Sequence, residues 1–316
     1  MKTLKRFLFF IAGIGLLIAC SKSDDFWGSY NHGNKYGHDK DHFYINGLDQ
    51  DRYVVMKSTG LKVHYRIIGK GPVDMVFIPG WGTPLEIFMK QFDYFRDKAR
   101  CIYIDLLGQG LSDAPEGIEY TTGLMADAVY DVLKKEGVHR FAGVGWDGGI
   151  LYLAQFYKKY PEMLKKVVNL AGGFFPWPTE EPARQNYIDA ITAYCEYIET
   201  WGEAEWDTFL ASRVPDSAPE DLKELLKCVY ELPMQQLANI FWNMLQEEVN
   251  LPPGWTIPAL GIWDGPVDMD KVNMNFPGIV GVHVFEDSGQ VVQWVKHETV
   301  NQLIWEFVSD RPGRRY

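Results

Sequence analysis

The sequence predicts an α/β fold, a mostly parallel sheet with helices on both faces. Three observations carry that reading. Strand-like and helix-like patterns alternate from about residue 53 to residue 307, as in chains built from successive strand–helix units. The segments 74–78 and 101–105 are near-continuous apolar runs, the signature of strands buried on both faces. Glycines 145, 148 and 149 join a strand pattern directly to a helix pattern. With 316 residues, 47% of them hydrophobic, the chain is long enough for one large core.

Taken in order, 53–58 and 61–68 read as two strands joined at Thr59-Gly60, a hairpin signal. Segments 74–78 and 101–105 are the next strands. Leu124, Met125, Ala128, Val129, Val132 and Leu133 recur at helical spacing. A strand over 140–144 leads into the glycine turn, and Ile150, Leu153, Ala154 and Tyr157 continue as a helix. Strands are expected at 166–170, 258–263 and 280–285, then a last helix through Val300, Leu303, Ile304 and Phe307. Between them, 174–255 reads as a helical insertion, a cap. Its apolar stripes run through Tyr187, Ile191, Cys195 and Ile198, through Leu222, Leu225, Leu226 and Val229, and through Leu237, Ile240, Phe241 and Met244. The core is then 51–173 with 256–316, and no internal repeat is visible.

The N-terminus is a different kind of segment. Lys2, Lys5 and Arg6 precede an apolar run over residues 7–19, too short to span a bilayer comfortably. The run ends in Leu17-Ile18-Ala19-Cys20, which resembles the lipobox of bacterial lipoprotein signal peptides. That resemblance implies a signal peptide over 1–19, lipidation of Cys20 and a membrane contact through that anchor, with a plain secretory signal or an N-terminal anchor helix as the alternatives. Ser21 after the cysteine resembles outer-membrane lipoproteins, and Asp24-Asp25 resembles a surface-export signal, so an envelope location at the outer membrane is expected, on either face. Loss of the three cations before Cys20 takes the net charge from −11 to −14. Residues 20–50 read as a polar tether. His32, His38 and His42 with Asp39 and Asp41 match no metal-ligand spacing, so neither a metal nor a cofactor is expected. An acidic chain of this kind has no electrostatic footprint for nucleic acid. The pairs Lys134-Lys135, Lys158-Lys159 and Lys165-Lys166 read as solvated helix ends. Cys101 reads as a buried small hydrophobe, while Cys195 and Cys228 fall on separate cap helices, where a disulfide is one of two alternatives.

Five motifs stand in order along the body. They are Ile78-Pro79-Gly80-Trp81-Gly82, the loop from Asp105 through Gly108-Gln109-Gly110 to Ser112-Asp113, Gly145-Trp146-Asp147-Gly148-Gly149, the segment Ile262-Trp263-Asp264-Gly265-Pro266-Val267-Asp268, and 285–290. Together they resemble the α/β-hydrolase superfamily over roughly residues 52–310, so a sheet with a helical cap and a hydrolase-type site is expected. The resemblance puts the nucleophile position at Asp147 and the triad acid at Asp268, with Asp264 as runner-up. It puts the triad histidine position at Gln290, and the oxyanion-hole donors at the N–H groups of Trp81 and Gly148.

The departures from the pattern set the chemistry. Aspartate at the nucleophile position resembles haloalkane dehalogenases and epoxide hydrolases, where a carboxylate attacks carbon to form an ester. An imidazole must then activate water, and Gln290 has no basic nitrogen. His297, seven residues on, would reach the site only after a backbone shift; His64 and His139 read as exposed or structural. Three alternatives follow: a non-catalytic binding protein, with a protein partner among its options; an active hydrolase with a rearranged, esterase-like or dehalogenase-like site; and a single-turnover acceptor trapped as an Asp147 ester. Trp146, Phe174, Phe175 and Trp177 are the aromatic residues expected to line a pocket for a small, partly apolar ligand.

Overall fold

The structure, a computed structural model, describes residues 50–309 apart from 228, 230, 231 and 251–253. The tether, Cys20 and the histidines before residue 50 lie outside the described residues, as does Cys228. Eight strands form one sheet: β1 Gln50–Val55, β2 Lys62–Ile68, β3 Asp74–Ile78, β4 Arg100–Ile104, β5 Phe141–Trp146, β6 Leu164–Leu170, β7 Ala259–Trp263 and β8 Ile279–Val284. Their spatial order is β1-β2-β4-β3-β5-β6-β7-β8. The pairs β1–β2 and β2–β4 are antiparallel and the other five are parallel. The hairpin turns at Thr59-Gly60, with Gly60 at φ 74°.

Helices close both faces. Because side chains alternate along a strand, Phe77, Val144, Trp146, Val168, Leu170 and Ile262 share one apolar cluster. That cluster is completed by α1 Met89–Arg96 and, later in the chain, by a short helix Val292–Val295 and a last helix His297–Val308. α2 Thr122–Lys135 and α3 Gly149–Lys159 pack on each other and on strands β1, β3 and β5. Thr121 caps α2, its side chain accepting from the Leu124 N–H. Lys166, expected at a solvated end, is in β6 and donates to the carbonyls of Phe307 and Val308, where a cation suits a helix C-terminus.

Between β6 and β7 the described residues hold α4 Ala183–Ile198, α5 Glu203–Ala211, α6 Glu220–Lys227, α7 Met234–Met244 and α8 Glu247–Asn250. After β7 come α9 Met269–Asn275, α10 Val292–Val295 and α11 His297–Val308. Cys195 is a buried free thiol, pushed up to about 12 by burial. Cys101 is fully buried in β4. His64 is structural and wholly buried: its Nδ1 lies 2.7 Å from Asp105, and that bond, with a second to Asp51, holds the imidazole near 9 against the opposing effect of burial.

Candidate active site

β5 is central, buried along its whole length, and ends at the edge of the sheet where parallel α/β folds place their ligands. There the chain turns into α3 through Asp147, at φ 49°. A non-glycine residue in that region is strained, and such strain is commonest at functional sites. The turn is held by the Asp147 N–H, which donates to the Leu170 carbonyl at 2.9 Å. Its tightness explains the glycines. A Cβ on Gly149 would stand 2.1 Å from the Ile78 carbonyl oxygen, and one on Gly145 2.7 Å from the Ile150 nitrogen.

The Asp147 carboxylate lies against the turn that follows β3: a Cβ on Gly80 would be 2.6 Å from Oδ2. That turn is braced by Gln109, whose Oε1 accepts from the Gly82 N–H at 2.8 Å while its Nε2 donates to the Gly80 carbonyl. The Trp81 backbone nitrogen lies 3.7 Å from where a Gly148 Cβ would sit, so the two N–H groups expected to act together are neighbours. The cap covers them. The Met244 methyl would be 2.1 Å from that same Cβ position, and Val229 and Leu237 crowd Gly82.

Beneath the cap is a cavity of about 40 Å³, room for a few waters at most. Trp81, Thr83, Trp146 and Asp147 line it from the core. Trp206, Phe209, Leu210 and Arg213 line it from α5 and the turn after it, with Val214, Leu226, Gln290 and Val291. Asp147 and Arg213 are the ionisable groups of this lining. The Arg213 guanidinium lies 3.8 Å over the Phe209 ring and donates to Ser212 Oγ. Burial pushes it below its ordinary value, and the negative charge of Asp147 works the other way.

Gln290 does line the cavity, and its backbone is held on both sides. Its N–H donates to the Arg213 carbonyl at 2.9 Å, and its carbonyl accepts from Trp146 Nε1 at 2.6 Å. Gly289, at φ 55°, is required there because a Cβ would meet the Arg213 oxygen at 2.3 Å. The segment that would present an imidazole is thus a clasp between core and cap.

Four expected site residues go elsewhere. Asp268 is the N-cap of α9, accepting from the N–H groups of Asp270 and Lys271, with 55% of its side chain exposed. Satisfying that helix end takes the carboxylate out of the cavity lining. Phe174 packs with Trp255 and Phe276. The Phe175 N–H goes to Asn250 Oδ1, and Trp177 donates to the Leu245 carbonyl. Of the proposed pocket aromatics only Trp146 lines the cavity. His297 Nδ1 bonds the Trp294 carbonyl and the residue does not line the cavity either. Sequence reasoning missed α5 and Arg213. The available signal was Glu203 and Glu205 in a first turn, followed by Trp206, Phe209 and Leu210 at helical spacing.

Comparison with known proteins agrees with this architecture. A family model described as alpha/beta hydrolase fold matches residues 75–193. A 2-hydroxy-6-oxononadienedioate/2-hydroxy-6-oxononatrienedioate hydrolase from Burkholderia vietnamiensis is 28% identical over 281 residues, covering 81% of this chain and 93% of its own. Epoxide hydrolase 3 of Mus musculus is 24% identical, over 82% of this chain and 77% of its own. Among solved structures, a thermophilic esterase from Thermogutta terrifontis superposes with a TM-score of 0.70 at 19% identity, covering 82% of this chain and 98% of its own. The epoxide hydrolase CorEH gives 0.67 at 17%, over 83% and 99%. The chain is an α/β-hydrolase-fold protein, and these relatives are hydrolases by name.

Proposed function

We propose that this chain is a non-hydrolytic member of the α/β-hydrolase fold, lipid-anchored in the bacterial envelope through Cys20, that binds a small, partly apolar ligand under its cap. One observation carries the reading: among the described residues, the cavity lining beside Asp147 holds Arg213 and the amide of Gln290, and no further group that can take a proton from water. A missing general base typically lowers rate by about 10²–10⁴-fold. The anionic carboxylate beside the N–H groups of Trp81 and Gly148 also opposes the build-up of an oxyanion there. Three tryptophans and Phe209 supply apolar walls, while Asp147 and Arg213 offer an acceptor and a donor for one polar end. A cavity of about 40 Å³ admits such a ligand only when the cap residues that line it, Trp206, Phe209 and Leu226 among them, move outward.

A second reading has its own support. Asp147 stands on the strained turn that presents a nucleophile, and relatives include proteins named epoxide hydrolases. In that reading Asp147 attacks a carbon electrophile and the ester persists for want of a base.

Intact mass of the full-length protein after incubation with styrene oxide, 1-bromobutane and 4-nitrophenyl acetate separates the two, with product assayed in parallel and Asp147→Asn as control. The proposal expects neither adduct nor product above the control, with quenching of tryptophan emission by the unreacted probe. A stoichiometric adduct absent from the control supports the trapped-ester reading. Multiple turnovers dependent on Asp147 sink the non-hydrolytic one.

A further inference from the structure

β5 spans six residues, roughly 20 Å at the usual strand rise. At its far end from Asp147 the surface carries a groove of about 300 Å³. Three segments distant in sequence build it: the last turns of α2 with Tyr130 and Lys134, the entry to β5 with His139 and Arg140, and the entry to β6 with Glu162 and Lys165. The lysines of two pairs some thirty residues apart, each read singly as a solvated end, therefore face one concavity.

Some surface cations, Arg52, Lys90, Arg100, Lys159 and Arg184 among them, have a carboxylate within 4 Å. Others, such as Lys57, Lys62 and Lys70, form no ion pair among the described residues. Among the described residues Lys134, His139, Arg140 and Lys165 form no ion pair, in a chain with net charge −11. One unpaired surface lysine carries no meaning, since exposed pairs contribute little. Convergence in a concave site is different, because its low-dielectric walls focus the field. Lys134, Arg140 and Lys165 against Glu162 leave a net charge of about +2, complementary to the −1.5 to −2 of a phosphomonoester near neutral pH. Tyr130 adds a flat wall, held in place by stacking on Tyr160 at 4.1 Å and 11°.

We propose that this groove is a binding site for a phosphomonoester-bearing ligand. Arg140, Lys134 and Lys165 take the phosphate, and Tyr130 packs against the attached ring or chain. Two sources share that chemistry, a soluble phosphomonoester and a phosphatidic-acid-type headgroup.

The test titrates full-length protein, and full-length Arg140→Glu/Lys165→Glu, with phenyl phosphate by calorimetry. Both are also sedimented with phosphatidylcholine vesicles, with or without phosphatidic acid. The substituted side chains are exposed, and matching thermal melts show that the variant folds. The proposal expects phenyl phosphate to bind, more weakly as salt rises, with affinity at least about tenfold lower in the variant, a difference of about 1.4 kcal/mol. A wild-type excess over variant confined to phosphatidic acid vesicles assigns the headgroup, and an excess confined to phenyl phosphate assigns a soluble ligand. Equal binding by both proteins, or none by either at millimolar ligand, overturns it.

Discussion

A carboxylate at the elbow asks different things of its neighbours than a hydroxyl would. It accepts hydrogen bonds where a hydroxyl could also donate, and Arg213 lines the same cavity as a donor. Gln290 contributes chiefly through its backbone, which bonds Trp146 and Arg213 whatever the side chain is. Gln290→His is therefore expected to fold normally. Its imidazole would not have Asp268 to orient it, because that carboxylate is engaged as a helix cap. Hydrolysis of 4-nitrophenyl acetate should rise by no more than about tenfold, short of the 10²–10⁴-fold that a well-placed base supplies. A steady-state rate a hundredfold above wild type would show that the loop and its surroundings already form a working site.

The elbow itself is an element under tight steric control. A methyl on Gly149 would meet the Ile78 backbone oxygen, and neither strand nor helix can yield without disturbing β3–β5 pairing. Gly149→Ala should cost at least about 3 kcal/mol, in the range of severe overpacking and strain. Gly265→Ala, with open space around its Cβ, should stay within about 0.5 kcal/mol. Urea unfolding of the two variants measures the contrast. The clasp is a second such element: Trp146→Phe removes one half-buried bond to the Gln290 carbonyl, worth about 1 kcal/mol. Faster proteolysis in the 285–291 segment would report its loosening, and unchanged protection would count against the clasp.

At the scale of the whole molecule, stability is linked to pH through a charged network beneath β1 and β2. Glu86 is pushed up to about 7 by burial and by the charge of Asp105, with Arg66 opposing. His64 is held near 9. Both groups bind more protons folded than unfolded, Glu86 between about 4.5 and 7 and His64 between about 6.5 and 9. Their contributions to stability are therefore full at the acid end of those windows and are lost as pH rises through them. The free energy of unfolding should decline from pH 5 toward pH 9, on the order of 1–3 kcal/mol for each group. Glu86→Gln should flatten the acid half of that decline and leave the half due to His64. Parallel pH series of chemical unfolding check it, and a Glu86→Gln curve parallel to wild type would refute the assignment.

Periodicity and local turn chemistry determined much of this protein before any coordinate. Strand and helix placement, the hairpin at Thr59-Gly60, the glycine-bounded elbow and the positions of Asp147 and Gln290 all follow from signals carried within a few residues. The order of motifs then gave the fold, because each marks a strand end that the sheet brings to one edge. What the tertiary structure decided was which side chains meet. Asp268 could serve as triad acid or as helix cap, and the exposed start of α9 took it. Phe174, Phe175 and Trp177 were apolar and close to the elbow in sequence, but satellite packing and hydrogen bonds to α8 and its neighbours drew them away. Arg213 and Lys134 reached their sites through contacts between segments far apart along the chain. Such contacts depend on how helices settle onto a sheet, and no local pattern encodes that.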